Sequence, residues 1–211
     1  MIKKDLKGKN MHISEGILAA PVLITGAALT AAGVGAGLKK MDYDKIPQVA
    51  ILAAVFFVAA LIHVPVGPSS VHLILNGIMG MLLGLAAFPA ILVALSLQAA
   101  LFQFGGITTI GVNTFNMAFP AVICFYLFSH WVKYENAIIA LSSAFACGFT
   151  AVLLGSIMVA ASLFFTGEEF AVVAKLVVIT HLPVMIIEGI LTMFCVGFLR
   201  KVRPEILEGI G

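Results

Sequence analysis

Charged residues are scarce in this sequence, and the shortage excludes a soluble fold. Only 10% of the 211 residues are charged and 62% are hydrophobic, whereas a soluble domain normally carries about 25% charged residues. A large part of any folded surface must face water, so a soluble protein of this size could not hide so much apolar surface. The composition predicts an integral membrane protein, and the net charge of +2 is too small to indicate nucleic-acid binding.

Cysteine is also scarce, and two motifs for catalysis are missing. Cys124, Cys147 and Cys195 each lie inside an apolar run without C-x-x-C spacing, so we interpret them as small packing residues rather than metal or redox residues. No G-x-x-x-x-G-K-[ST] motif occurs, so ATP-driven transport would require a nucleotide-binding partner chain. No H-E-x-x-H motif occurs either, which weighs against a metal-dependent hydrolase.

Apolar runs of spanning length follow one another along most of the chain. A transmembrane helix needs about 20 apolar residues, with about 17–25 usual. The runs predict an all-α fold, a polytopic membrane helix bundle of about seven transmembrane helices, with six or eight as alternatives. The predicted spans cover residues 17–38, 47–62, 71–86, 89–104, 115–131, 137–165 and 171–199.

Basic residues indicate the orientation of these spans. If the end near Met11 is outside, the inner connections carry seven basic residues and the outer side beyond Met11 carries only Lys175. This asymmetry follows the positive-inside rule, so we expect the N-terminus outside and the C-terminus in the cytoplasm. The seven inner residues are Lys39, Lys40, Lys45, Lys133, Arg200, Lys201 and Arg203.

Residues 1–10, MIKKDLKGKN, depart from this charge pattern. Their four lysines would lie outside, against the positive-inside rule, and the segment shows no signal for regular structure. We interpret it as a non-native extension upstream of the true start, with a genuine flexible tail as the alternative. The predicted organisation is this extension followed by a single transmembrane domain over residues 11–211.

Histidines supply the best candidate metal ligands, since imidazole is the commonest metal ligand in proteins. His12, His63 and His72 fall at the predicted outer face, whereas His130 lies at the inner interface beside Trp131. We therefore take the outer histidines as candidates and interpret His130 as an interfacial residue.

A pair of ionisable residues is predicted inside the last span. Glu188 follows His181 by seven residues, so the two side chains share a helix face. Ionisable residues at membrane depth are functional candidates by default. The alternative is a hydrogen bond, mutual or between helices, that holds the bundle together.

Two outer segments combine turn residues with polar side chains. The dipeptide at residues 67–68, Gly-Pro, predicts a turn, after which Ser69 or Ser70 is expected to cap a helix with His72 in its first turn. The segment GGITTIGVN at residues 105–113 is expected to form non-helical backbone that lines a polar cavity.

A chain that begins at Met11 would carry a chelating group at its start. The free amine of Met11, the deprotonated amide of His12 and the Nδ1 atom of His12 can bind one ion nearly in a plane, and His72 can supply a fourth nitrogen. Square-planar nitrogen ligation favours Ni(II), Cu(II) or low-spin Co(II), whereas Mg²⁺ and Ca²⁺ prefer oxygen ligands. With residues 1–10 attached, Met11 has no free amine and the site loses this ligand.

Four sequence motifs resemble the CbiM/NikM family, the cobalt- and nickel-specific substrate-binding subunits of energy-coupling factor transporters. They are MHISEG at residues 11–16, PSSVHLILNGIMG at 68–80, FGGITTIGVNTFNM at 104–117 and HLPVMIIEGILT at 181–192. The resemblance runs from Met11 to about Pro204 and implies that the transmembrane domain binds the substrate, with metal ligands at Met11, His12 and His72. It also implies roles in holding the ligands or closing the cavity for Glu15, Thr109, Asn113, His181 and Glu188.

The resemblance implies a transport function rather than catalysis. We expect capture of Co(II) or Ni(II) outside a bacterial or archaeal plasma membrane and its delivery inward, with no cofactor and no distinction between the two metals. The implied partners are a transmembrane coupling subunit, two cytoplasmic ATPase subunits and a small auxiliary membrane subunit. The alternatives are an intramembrane metal-dependent hydrolase and a stand-alone cation channel or secondary transporter.

Small residues form a stripe on the first span. Ala28, Ala32 and Ala36 are four residues apart, a spacing that lets helices approach closely in lipid. The stripe indicates packing inside this chain or, alternatively, a candidate docking face for a partner membrane subunit.

Overall fold

The computed structural model describes residues 13–66 and 69–210, and within these ranges the chain is almost entirely helical. One antiparallel pair of short strands, β1 (His63–Val66) and β2 (Ser69–His72), interrupts the helices and places the backbone of His63 opposite that of His72. The helices are α1 (Ala20–Lys40), α2 (Ile46–Ala59), α3 (Asn76–Leu83), α4 (Ala87–Phe102), α5 (Ile110–Val132), α6 (Ala137–Phe164), α7 (Ala171–Thr180), α8 (Leu182–Val202) and α9 (Pro204–Glu208).

Five apolar helical segments within the described residues are long enough to cross a membrane. This confirms the predicted all-α polytopic membrane helix bundle. The prediction of about seven spans is not confirmed, because α2 has only 14 residues and α3 only 8, and a spanning helix needs about 20. The five segments are Ala20–Lys40, Asn76–Phe102, Ile110–Val132, Ala137–Phe164 and Glu168–Val202.

The span predicted at residues 71–86 has a different structure. His72 ends strand β2 instead of standing in the first turn of a helix, and α3 begins only at Asn76. Leu75 has a left-handed backbone with φ of 53°, which turns the chain from the strand into the helix. After the short α3, a 3₁₀ turn over Gly84–Ala86 leads directly into α4, so two predicted spans form one interrupted apolar segment.

Helix α3 lies in the centre of the bundle, where glycine lets neighbouring backbones approach. A Cβ atom at Gly77 would lie 2.7 Å from the Cα atom of Gly148 on α6, and one at Gly80 would overlap the carbonyl of Ala121 on α5. Small residues at such positions allow the close packing that holds membrane helices together. Because α3 packs in the centre of the bundle, it holds one end of the short segment that connects His72 to Asn76.

Helix α1 packs on α5 with one face and leaves the other face exposed. On the packed face, Gly26 lies against Val112 and the Thr30 hydroxyl donates to the carbonyl of Gly111 at 2.6 Å. On the other face a Cβ atom at Gly35 would meet nothing within 4 Å. The predicted docking residues all lie exposed on α1: Ala28, Ala32 and Ala36.

Segments that we assigned to the outer side contact one another in the structure. The Glu15 amide donates to the carbonyl of Gly105 at 3.2 Å, and the Ala19 amide donates to the Thr166 hydroxyl at 3.4 Å. The start of the described chain, the loop before α5 and the loop after α6 therefore lie at one end of the bundle.

Segments assigned to the inner side meet at the opposite end. The Arg200 guanidinium donates to the carbonyls of Tyr134 and Glu135 at 2.8 and 3.0 Å. The Lys45 ammonium donates to the carbonyl of Gly209 at 3.2 Å. The connecting segments therefore fall into the two groups that the charge pattern predicts. Which of the two groups faces the cytoplasm stays a prediction.

Candidate metal centre

The imidazole of His72 is buried, and one of its ring nitrogens is hydrogen-bonded to the backbone. Its side chain is only 2% exposed, and Nδ1 lies 2.8 Å from the carbonyl oxygen of Leu73. A carbonyl only accepts hydrogen bonds, so Nδ1 carries the proton and Nε2 carries the lone pair of the neutral ring. A hydrogen bond of this kind orients a histidine for metal binding through its other nitrogen.

Glu188 of α8 holds the backbone that follows His72. Its carboxylate is fully buried, and Oε1 accepts from the amides of Ile74 and Leu75 at 2.5 and 3.0 Å, while Oε2 also accepts from the Leu75 amide at 3.0 Å. These amides are free to bind Glu188 because the left-handed turn at Leu75 keeps them out of α3. One carboxylate therefore connects the segment between His72 and α3, which we call the His72 loop, to α8.

We expect Glu188→Leu to loosen the loop and Glu188→Gln to preserve most of its attachment. Leucine leaves two amides without an acceptor, which we expect to cost about 2–6 kcal/mol because each unsatisfied buried group costs about 1–3 kcal/mol. Glutamine keeps one carbonyl oxygen in the place of Oε1. Thermal unfolding of both purified variants checks this; equal melting temperatures would show that the carboxylate does not hold the loop.

A second set of hydrogen bonds joins the start of the described chain to α5. The Asn113 side chain accepts from the amide of Ile13 at 3.0 Å and donates to its carbonyl at 3.1 Å. Asn113 also donates to the Thr109 hydroxyl at 3.3 Å, and that hydroxyl donates to the carbonyl of Gly106 at 3.1 Å. The two bonds to Ile13 fix the residue that directly follows His12.

Glu15 packs against the loop before α5. Its carboxylate accepts from the amide of Thr108 at 3.3 Å, and a Cβ atom at Gly106 would overlap its Oε2 atom. Glycine at 106 therefore makes room for the carboxylate. The non-helical backbone predicted at residues 105–113 ends earlier than expected, because α5 begins at Ile110.

Four of the predicted supporting residues take part in two separate sets of hydrogen bonds. Glu188 acts on the His72 loop, whereas Asn113, Thr109 and Glu15 act on the chain that follows His12. The sequence shows no sign that Ile74 and Leu75 offer their amides, because an apolar residue in a left-handed turn has no compositional signature.

His181 lies between α7 and α8 with a different set of contacts. Its Nδ1 atom donates to the carbonyl of Val177 at 2.6 Å. Its Nε2 atom is buried and has no hydrogen-bond partner among residues 13–66 and 69–210. No hydrogen bond joins His181 to Glu188 in that part of the chain, so the mutual bond considered for this pair does not form.

Two of the three predicted ligands, Met11 and His12, lie outside the described residues, as does the extension at residues 1–10. Among the residues described, no group of three or more His, Cys, Asp or Glu side chains could hold a metal ion. The ligand set of Met11, His12 and His72 stays a prediction.

Known proteins similar to this chain share one function class. The family model described as the cobalt uptake substrate-specific transmembrane region, CbiM, matches residues 12–206. A Haemophilus influenzae protein named as a metal transport protein is 41% identical over 203 residues, which cover 94% of this chain and 97% of that protein.

Two further matches extend this picture. A protein of Methanocorpusculum labreanum named as a fused cobalt transport protein, CbiMQ, is 30% identical over 95% of this chain and 37% of its own length. A crystal structure described as a transition metal transporter superposes with a TM-score of 0.70 at 27% identity, covering 90% of this chain and 93% of that one.

Proposed function

The chain belongs to the CbiM family of cobalt uptake substrate-specific transmembrane proteins, and on that premise we propose that it captures Co(II) or Ni(II) at its outer end. It is a multi-pass membrane protein of metal transport. In this proposal it delivers the ion inward as the substrate-binding subunit of an energy-coupling factor importer.

The observation that carries the proposal is the fixed imidazole of His72. Its Nδ1 proton is committed to the carbonyl of Leu73, and the backbone two residues further on is tied to Glu188. A ligand that is held in one tautomer and one orientation loses little freedom when it binds a metal, which favours tight capture.

The chemistry of the other ligands supports a planar nitrogen site. We propose that the amine of Met11 and the amide and Nδ1 nitrogens of His12 join Nε2 of His72 around one ion. Asn113 holds Ile13, the residue after His12, at both its amide and its carbonyl, and this anchor supports a defined position for the chelating end. Such a set of nitrogens favours Ni(II) or Co(II) over Mg²⁺ and Ca²⁺.

Energy is supplied by other chains in this proposal. The CbiMQ relative joins a protein similar to this chain to a further segment in one polypeptide, which supports a partner subunit in a transporter complex. We propose a transmembrane coupling subunit, two cytoplasmic ATPases and a small auxiliary membrane subunit. The exposed alanines of α1 supply a surface on which a partner helix can pack closely: Ala28, Ala32 and Ala36.

Uptake of radioactive cobalt by proteoliposomes tests this proposal. We expect uptake only when the coupling and ATPase subunits and ATP are all present. Ala32→Leu on the exposed face should keep metal binding and lose uptake. Leu38→Ile should change neither, because Leu38 is an exposed α1 residue six residues from Ala32 and therefore on a different side of the helix. Uptake by the chain alone without ATP would instead indicate a channel, and hydrolytic activity of the purified chain would indicate an enzyme.

A further inference from the structure

A groove of about 580 Å³ lies between α6 and α8 near the inner end of the bundle. Helix α8 contributes Phe194 and Phe198 to its lining, and α6 contributes Leu141. The two phenylalanine side chains are 66% and 61% exposed. They belong to the apolar segment Glu168–Val202, which is long enough to cross a membrane, so the groove opens toward the hydrocarbon of the bilayer.

Gly197 keeps the space between the two helices open. A Cβ atom at this position would lie 3.3 Å from the Cδ2 atom of Leu141, so a longer side chain would enter the groove. The lining of α8 runs from Met193 to Lys201, which is about 12 Å at about 1.5 Å per residue. One leaflet contributes about 15 Å of hydrocarbon, half of the about 30 Å of a bilayer core. The groove therefore matches the length of one acyl chain in a single leaflet.

Arg200 stands at the inner end of this groove, and backbone carbonyls orient its guanidinium. Its Nη1 atom donates to the carbonyls of Val132 and Tyr134 at 3.0 and 2.8 Å, and Nη2 donates to the carbonyl of Glu135 at 3.0 Å. These acceptors are neutral, and no carboxylate of the described residues forms an ion pair with Arg200. The Arg200 side chain therefore has a fixed orientation and an uncompensated positive charge.

Lys201 adds a second positive charge at the same end. It is exposed and forms no hydrogen bond or ion pair with any residue that the structure describes. It follows Gly197 by four residues, so the two positions share one face of α8. No aspartate or glutamate belongs to the described residues that line the groove. An apolar groove thus ends at two cations that lack an acidic partner.

We propose that this groove binds an anionic phospholipid, whose phosphate contacts Arg200 and Lys201 and whose acyl chain lies between α6 and α8. Guanidinium and ammonium groups form charge-assisted hydrogen bonds to phosphate oxygens. Basic pockets between membrane helices recognise anionic headgroups in this way. A zwitterionic lipid carries its own cation, which these two side chains repel, and a soluble phosphate leaves the apolar part of the groove empty.

Native mass spectrometry of the purified, delipidated full chain in detergent tests the proposal. The probes are phosphatidylglycerol and phosphatidylcholine with identical acyl chains. We expect one phosphatidylglycerol to bind at least about tenfold more tightly than phosphatidylcholine, because each basic side chain favours an anionic lipid about fivefold. Lys201→Gln should lower the affinity for phosphatidylglycerol about fivefold and leave that for phosphatidylcholine unchanged. Gly197→Leu, which fills the groove, should lower the affinity for both lipids.

Helix α1 supplies matched controls for both substitutions. Lys39 is an exposed lysine in the last turn of α1 at the same end of the bundle, and it does not line the groove. A Cβ atom at Gly35 meets nothing within 4 Å. Lys39→Gln and Gly35→Leu should therefore bind phosphatidylglycerol as the unmodified chain does. Melting temperatures of all variants without lipid show whether each is folded.

Three results would overturn the proposal. Equal affinity of the unmodified chain for the two lipids would show that the groove does not distinguish headgroup charge. Unchanged affinity for phosphatidylglycerol in both folded variants, Lys201→Gln and Gly197→Leu, would place the lipid elsewhere. Displacement of phosphatidylglycerol by inorganic phosphate would assign the two cations to a soluble anion. No metal takes part in these measurements, so failure of the capture proposal leaves them intact.

Discussion

Replacing His72 with alanine is expected to weaken the binding of Co(II) or Ni(II) by more than about a hundredfold, since even the loss of a residue that only supports a ligand costs about 10–100-fold. The substitution removes one of four proposed ligand atoms. It should leave the fold intact, because the loop that carries His72 is also tied to Glu188 through the amides of Ile74 and Leu75. Calorimetry of the purified protein measures the change.

A second histidine allows a matched control for this experiment. His130 is exposed and packs its ring edge-on against Trp131 at the opposite end of the bundle, so His130→Ala should bind metal as the unmodified chain does. The melting temperatures of both variants, measured without metal, separate a lost ligand from a lost fold. Unchanged affinity in a folded His72→Ala protein would contradict the assignment of His72.

The form of the chain that starts at Met11 is expected to bind metal far more tightly than the form with residues 1–10 attached. The attached residues convert the Met11 amine into an amide, which removes one ligand nitrogen and changes the chelate ring. We expect a loss of more than about a hundredfold, comparable to the loss of His72. Calorimetry of the two purified forms at the same pH measures the difference.

Cleavage provides the control for the amine. An extended form with a protease site placed directly before Met11 should gain tight binding when it is cut, and acetylation of the exposed amine should remove it again. Affinity of the cut form should also fall as the pH is lowered, because metal and protons compete for the same nitrogens. Equal binding by the extended and cut forms would refute the amine ligand.

The membrane environment was predictable because its signals are local and additive. Apolar runs report the solvent around each segment, and lysine and arginine report which connections share a side. The contacts of Glu15 with Gly105 and of Arg200 with Tyr134 agree with that grouping. The family resemblance could be recognised from the sequence because its motifs are short and contiguous.

The structure of residues 71–86 was not predictable from the same signals. An apolar run of suitable length indicates a span whether it is one helix or a strand, a turn and a short helix. The difference depends on Leu75, whose left-handed backbone is stabilised by Glu188 on a distant helix. Only contacts across the bundle make this strained turn favourable.

The sequence by itself determined that this chain lies in a membrane and which ends of its helices share a side, and it predicts the side chains that bind Co(II) or Ni(II). Only the tertiary structure decided what holds the backbone of Ile74 and Ile13 in place: Glu188 reaches the first across 114 residues, and Asn113 reaches the second across 100 residues. Hydropathy and charge are properties of each segment alone. A hydrogen bond between distant segments exists only after the helices have packed, so its geometry cannot be obtained from either segment.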